Sequence, residues 1–279
     1  MISVLQWKSP AHIGTTRSPS SSVDWLLPHQ LRQLNPVSTT RSRQSKKDSA
    51  TPSGYSRFVR AMTLSVEPII TEARQAVGAR AGLSGYDALT RSEQIGMDLF
   101  AGFNEISHSY DTLLDIEVYV ARFPYANTRI TRSGHLRFII EAYLHESYTL
   151  VERLKAYPTL ISRRLAGQCP KIDYKGTCKR AVELATAGLT NIVTIRGAHV
   201  HRRRFSTPDL DTADLYDFLR THKGDGHTRI LGEFTYRQAR KKWLATIRTN
   251  NSDLAKLLGL YFLCLYPLVF DPSSETFLK

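Results

Sequence analysis

Cysteine is scarce in this chain: Cys169, Cys178 and Cys264 are the three it carries. An odd count without a secretory leader fits free thiols in a reducing compartment, so a cytoplasmic setting is expected. Cys169 and Cys178 have eight residues between them, which matches no paired zinc knuckle. Long apolar runs are also missing. The most apolar stretch, 257–270, is 14 residues long and contains Pro267, short of the roughly 20 that span a bilayer. A buried terminal helix, without membrane contact, is the expectation there. No Gly-rich phosphate loop, nucleophile elbow or dinucleotide fingerprint is visible, so no cofactor is expected. No segment alternates with a period of two, which removes the sheet-based classes.

Basic residues are plentiful and unevenly spread. The formal charge is +13; residues 1–60 contribute +7 of it, leaving +6 for the remaining 219 positions. The first 60 residues also hold 17 serines and threonines, with SPSSS at 18–22 and STTRSRQSKKDS at 38–49. Such a segment cannot bury enough surface to offset the entropy of ordering, so residues 1–61 are expected to be disordered. Three readings of it compete: a Ser/Arg-rich transit peptide, a basic nucleic-acid arm, or sequence upstream of a true start at Met62. The last is preferred, which makes 62–279 the single folded domain.

Within that domain the pattern is helical. A short helix is expected from Met62 to about residue 81, with Pro68 near its first turn. Asp87 then serves as N-cap of a long helix whose stripe includes Ile95, Leu99, Phe103, Ile106, Leu113, Ile116 and Val120, ended by Pro124. A second long helix opens at Ser133 or Gly134, and Pro158 kinks or ends it. Its charged positions Glu141, His145, Glu146, Glu152 and Arg153 read as a wet face with ion pairs such as Glu152–Lys155. After a loop at 167–176, a third helix runs through Ala181, Leu184, Ala185, Leu189, Ile192, Val193 and Ile195. Pro208 and Asp209 turn into a short helix reaching Leu219, and HKGDGH at 222–227 reads as a polar loop. From Ile230 two more helices follow, split near Asn250 and Asn251. Phe234 and Trp243 are the expected core anchors of the first, although Arg240, Lys241 and Lys242 among its aromatics would also suit RNA. The fold class is all-α, a bundle of four to six helices.

The densest polar cluster is IVTIRGAHVHRRRF at 192–205. Arg196 leaves an apolar helix, His199 and His201 follow, and Arg202, Arg203 and Arg204 come next. An arginine fork that holds phosphate beside histidines that titrate near neutrality suits nucleic-acid chemistry. Arg196 and His201, five positions apart, differ by about 140° on an ideal helix, so their cooperation requires a break, which Gly197 permits. Arg196 and His199 share a face. Each element also has a plainer role. Three arginines past a helix end complement its dipole, and His199 can cap a carbonyl. His199 and His201 have a spacing seen at metal sites but no acidic or thiol neighbours, with His108 and His145 as partners only if folding brings them close; no metal is expected. His222, Asp225 and His227 read as solvated.

Long helices with Arg196, Gly197, Ala198, His199, Val200 and His201 following an apolar helix resemble the HEPN superfamily. The likeness covers roughly residues 85–220 by helix pattern, and its specific part is those six positions. It implies an all-α bundle, a homodimer, and metal-independent RNA cleavage or RNA binding, with membership of a toxin or defence system and an antitoxin or other protein partner. Arg196 and His201 would be catalytic, His199 supporting, and Arg202, Arg203 and Arg204 would bind RNA. Active members commonly place a polar residue directly after the arginine, where this chain has Gly197. The competing function is a non-catalytic module for dimerisation or partner binding.

Overall fold

The structure, a computed structural model, describes residues 53–79, 89–124, 129–167, 172–189 and 206–278. Among the described residues there are six helices: α1 (Gly54–Ala79), α2 (Arg91–Ala121), α3 (Arg132–Leu165), α4 (Tyr174–Gly188), α5 (Pro208–Lys223) and α6 (Gly226–Val269). Their only β pairing is a single bridge between Phe270 and Phe277. The chain divides into two compact units, residues 44–69 with 90–279, and residues 1–43 with 70–89. Of the second, only the last turns of α1 and Leu89 are described. The all-α expectation holds, and the larger unit is a helical bundle.

Several boundaries differ from those expected, each for a local reason. The boundary at Met62 falls inside α1, which begins eight residues earlier. Phe58, Ala61, Met62, Val66 and Ile69 recur at helical spacing and are buried, so residues 54–61 are ordered parts of the bundle. Pro68 consequently lies within α1 rather than in its first turn. Gly54 allows α1 to approach α6 closely, because a Cβ there would overlap the Gly259 carbonyl oxygen.

Thr90, not Asp87, caps α2. Its backbone N–H donates to Glu93 Oε2 at 2.6 Å and its hydroxyl accepts from the Glu93 N–H at 3.4 Å, a reciprocal capping box. Thr131 caps α3 by its side chain alone, accepting from Gly134 N–H at 3.0 Å. Pro158 does not end α3, which continues to Leu165. A proline at 158 lacks the N–H that would bond the Leu154 carbonyl. The Tyr261 hydroxyl of α6 supplies the replacement, donating to Leu154 O at 2.8 Å.

The expected break at Asn250 and Asn251 is absent, since α6 runs unbroken for 44 residues. Asn251 is buried and works across helices: its Nδ2 donates to Leu113 O of α2 at 3.1 Å and its Oδ1 accepts from Tyr143 OH of α3 at 3.3 Å. The polar loop expected at 222–227 shrinks to two residues. Gly224, at φ +67°, closes α5, and Asp225 caps α6 by accepting from Thr228 N–H at 2.6 Å. His222 and His227 are helical and exposed.

The core gathers aromatic rings. Phe58 lies 5.4 Å from Phe103 (α2), 4.6 Å from Phe262 (α6), 5.0 Å from Phe270, and 6.4 Å from Tyr157 (α3), centroid to centroid. Leu258, Tyr261, Phe262, Leu265 and Tyr266 of α6 are buried in this core, as expected for the terminal helix. By length and composition α6 also contains an 18-residue window apolar enough to cross a membrane, of which 44% is buried in the bundle.

Candidate nucleic-acid interface

Arg196, His199, His201, Arg202, Arg203 and Arg204 all lie outside the described residues, between the end of α4 and Ser206. So do Ile192, Val193 and Ile195, assigned by sequence to the third helix, which is described only as far as Leu189. His108 on α2 and His145 on α3 belong to no group of three or more His, Cys, Asp or Glu placed to hold a metal among the described residues.

The expected wet face of α3 is partly a seam. Glu152 and Lys155 do pair, at 3.1 Å. Glu146, by contrast, accepts from the buried Ser109 hydroxyl of α2, and Arg153 donates to Ser109, to Glu146 at 3.4 Å and to the Glu105 carboxylate at 2.6 Å. With Ser109 fully enclosed, the cluster ties α2 to α3 and presents no nucleophile to a substrate. An adjoining groove of about 490 Å³ is lined by Gly102, Tyr157, Leu160 and Arg163 among others.

The first half of α6 departs furthest from the sequence reading. Its buried positions are Thr228, Gly232, Tyr236 and Ala239, at helical spacing, and Gly232 faces Tyr216 of α5. Phe234, read as a core anchor, is 57% exposed, and Ile230 is 67% exposed. Trp243 is half-buried. The reason is register: an inward Gly232 and Tyr236 place Ile230, Phe234, Arg237 and Lys241 on the opposite side, at i, i+4, i+7 and i+11. The aromatics of this stretch thus divide. Tyr236 goes inward beneath the guanidinium groups of Arg240 and Arg132, at 5.5 and 5.9 Å from its ring, while Phe234 goes outward.

The outward face is cationic as well as apolar. Arg229, Ile230, Glu233, Phe234 and Arg237 line an open groove of about 440 Å³. Glu233, its single acid, is already engaged by Arg237 Nε at 2.8 Å and by Arg132 of α3. Arg229, Arg237 and Lys241 are all exposed. Lys242, one residue round the helix, pairs with Asp209 of α5. Chemically the face offers fixed cations and an aromatic surface, which equips it to bind rather than to transfer protons. A basic patch interleaved with an exposed aromatic was legible in the sequence as a composition; its outward orientation was not.

A different exposed set lies where α3 meets α5. Arg137 of α3 donates to Asp211 and Asp214 at 2.9 Å each, and Ser133 N–H donates to Asp217 at 3.0 Å. These bonds run in opposite order along the two helices, so the pair is antiparallel. Phe138, Leu215 and Phe218 beside this seam are exposed, and the Phe218 ring lies tilted against His222, 4.0 Å between ring centroids.

No protein-family model matches the chain, and no match is found among the curated proteins or the solved structures.

Proposed function

We propose that the chain binds RNA, with the outward face of α6 as a contact surface, and that Arg196 and His201 cleave what is bound. The observation that carries the binding half is the row of Phe234, Arg237 and Lys241 with Arg229 at the edge of the same groove, a net positive face whose one acid, Glu233, is held by Arg132 and Arg237. Cations of this kind hold phosphates by counterion release, and the aromatic gives a surface for a base. The cleavage half rests on the HEPN resemblance of the Arg196 to His201 element. In it, neutral His201 takes the proton of a ribose 2′-hydroxyl, and the 2′-oxygen attacks the adjacent phosphorus. Arg196 offsets the charge on the phosphoryl oxygens, and the 5′-oxygen leaves, protonated from solvent, to give a 2′,3′-cyclic phosphate. His199 supports the site, and Arg202, Arg203 and Arg204 hold the backbone.

The test is cleavage of RNA by the purified full chain in EDTA, beside Arg196→Ala and His201→Ala. Cyclic-phosphate ends produced by the wild type and lost in both variants are expected. Equal inertness of all three on several RNAs would leave binding without catalysis and place the weight on Gly197. A second reading, a non-catalytic module for dimerisation or partner binding, is favoured by the exposed Phe138, Leu215 and Phe218 at the α3–α5 seam. Light scattering of Phe138→Glu and Phe218→Glu separates it: a wild-type dimer that becomes monomeric supports that surface.

A further inference from the structure

Resting on the RNA-binding reading above, we infer that the outward face of α6 takes single-stranded rather than duplex RNA, with Phe234 as the platform on which one base stacks. The placement of Phe234 is the starting point. A phenylalanine left 57% exposed forgoes the stabilisation that burial would give it. Here it stands in the middle of a straight row, with Ile230 one turn before it and Arg237 and Lys241 one and two turns after. From Ile230 to Lys241 the row runs about 16 Å along the helix axis, a length suited to a few nucleotides of extended strand. The groove of about 440 Å³ beside Phe234 is lined by Arg229, Glu233 and Arg237, a ridge that runs along one side of the ring and brings two guanidinium groups within the same groove for the phosphates of a strand whose base lies on Phe234.

Charge selects the class of occupant. Glu233 is the groove's one acid and is bound by Arg132 and Arg237, so four cations, Arg132, Arg229, Arg237 and Lys241, stand against one carboxylate and the face keeps a net positive charge. A polyanion is complementary to that row. Among polyanions, a duplex keeps its bases stacked on one another inside the helix and meets a protein through phosphates, sugars and groove edges. It can use Arg229, Arg237 and Lys241 but has no base free for Phe234. A single strand uses both, since every unpaired base has a π-face to place on an aromatic side chain.

The experiment is fluorescence anisotropy with the full chain. The probes are a labelled single-stranded oligouridylate and a labelled RNA duplex of the same length, both 2′-O-methylated so that the nucleophile for cleavage is blocked. Phe234→Ala is expected to weaken the single strand by about ten-fold and to leave the duplex unchanged. Phe234→Tyr retains wild-type binding, because the stacking surface is kept. Arg237→Ala with Lys241→Ala weakens both probes and flattens the dependence of log K on log salt. Phe234 is exposed, so its variants keep the fold, which circular dichroism checks. If the cation variant loses binding while Phe234→Ala binds the single strand as wild type does, the stacking assignment is overturned and the RNA reading stands. Equal loss on both probes with Phe234→Ala overturns the preference for single strands. If the wild type binds neither probe, or binds anionic vesicles and no RNA, the RNA reading falls with it.

Discussion

Single residues at the helix junctions do two jobs in this chain, and Tyr261 shows it best. Its ring is enclosed in the core, and its hydroxyl donates at 2.8 Å to the carbonyl that Pro158 leaves without a helical donor. Burial raises the tyrosine's pKa well above the ordinary value, so the hydroxyl keeps its proton for that bond. Tyr261→Phe removes the donor without changing ring volume and strands a buried carbonyl. A loss of about 1–3 kcal/mol is expected, read as a lower urea midpoint with an unchanged m value. Replacing Pro158 by Ala in the same background restores a backbone donor at that carbonyl. The double variant should therefore recover much of the loss, whereas a purely packing role for Tyr261 predicts no recovery. Asn251 belongs to the same class: an asparagine that sequence reasoning takes as a break is held inside a helix because its amide joins α2 and α3.

At the level of elements, α5 is fastened to α3 by a lopsided ion pair. The Arg137 side chain is 5% exposed, whereas Asp211 and Asp214 are 51% and 38% exposed. Removing the arginine leaves two wet carboxylates, but neutralising Asp211 and Asp214 takes two charge partners from a buried guanidinium. Asp211→Asn with Asp214→Asn should therefore lower the urea midpoint more than Arg137→Met does. The pair also gives acid sensitivity a sign. The Ser206 hydroxyl first, and the Arg137 guanidinium next, hold the Asp211 carboxyl below the usual carboxylate range. A carboxyl depressed on folding contributes stability that is present above its unfolded pKa of about 3.9 and lost as pH falls through the folded value. The contribution is small because Asp211 is half exposed. Stability measured from pH 5 down to pH 2 should decline less steeply in the double Asn variant than in the wild type.

Across the whole molecule, the core closes around a residue that composition assigns to a disordered tail. Phe58 meets rings from α2, α3 and α6, so α1 is the piece that brings the other helices to one centre. A chain beginning at Met62 lacks Phe58, Ala61 and the Gly54–Gly259 approach. Removing a buried phenylalanine alone costs about 3–5 kcal/mol, which is a large share of the stability of an ordinary domain. Residues 62–279 should accordingly melt well below residues 53–279, with Phe58→Ala in the longer chain between the two, by calorimetry or denaturant titration. If residues 62–279 matched the longer chain, the ring cluster around Phe58 would not be the centre of stability.

Much of the architecture was legible because helices are local objects. The stripes Ile95–Leu99–Phe103–Ile106 and Leu136–Ile140–Tyr143 are written at the spacing of a helix, and their burial follows from that spacing alone. Pro208 at the start of α5 is local in the same sense. What the tertiary structure decided is every matter that depends on a neighbour from elsewhere in the chain. Pro158 continues its helix because Tyr261, about a hundred residues on, satisfies the stranded carbonyl; Asn251 stays helical because its amide donates to the Leu113 carbonyl and accepts from the Tyr143 hydroxyl. Phe58 is core because rings from three other helices, α2, α3 and α6, converge on it. Phe234 faces outward because Gly232 and Tyr236 turn inward against α5 and α3. A periodic pattern tells that a helix has faces; only the packing of the other helices determines which of two aromatic faces is covered and which stays exposed.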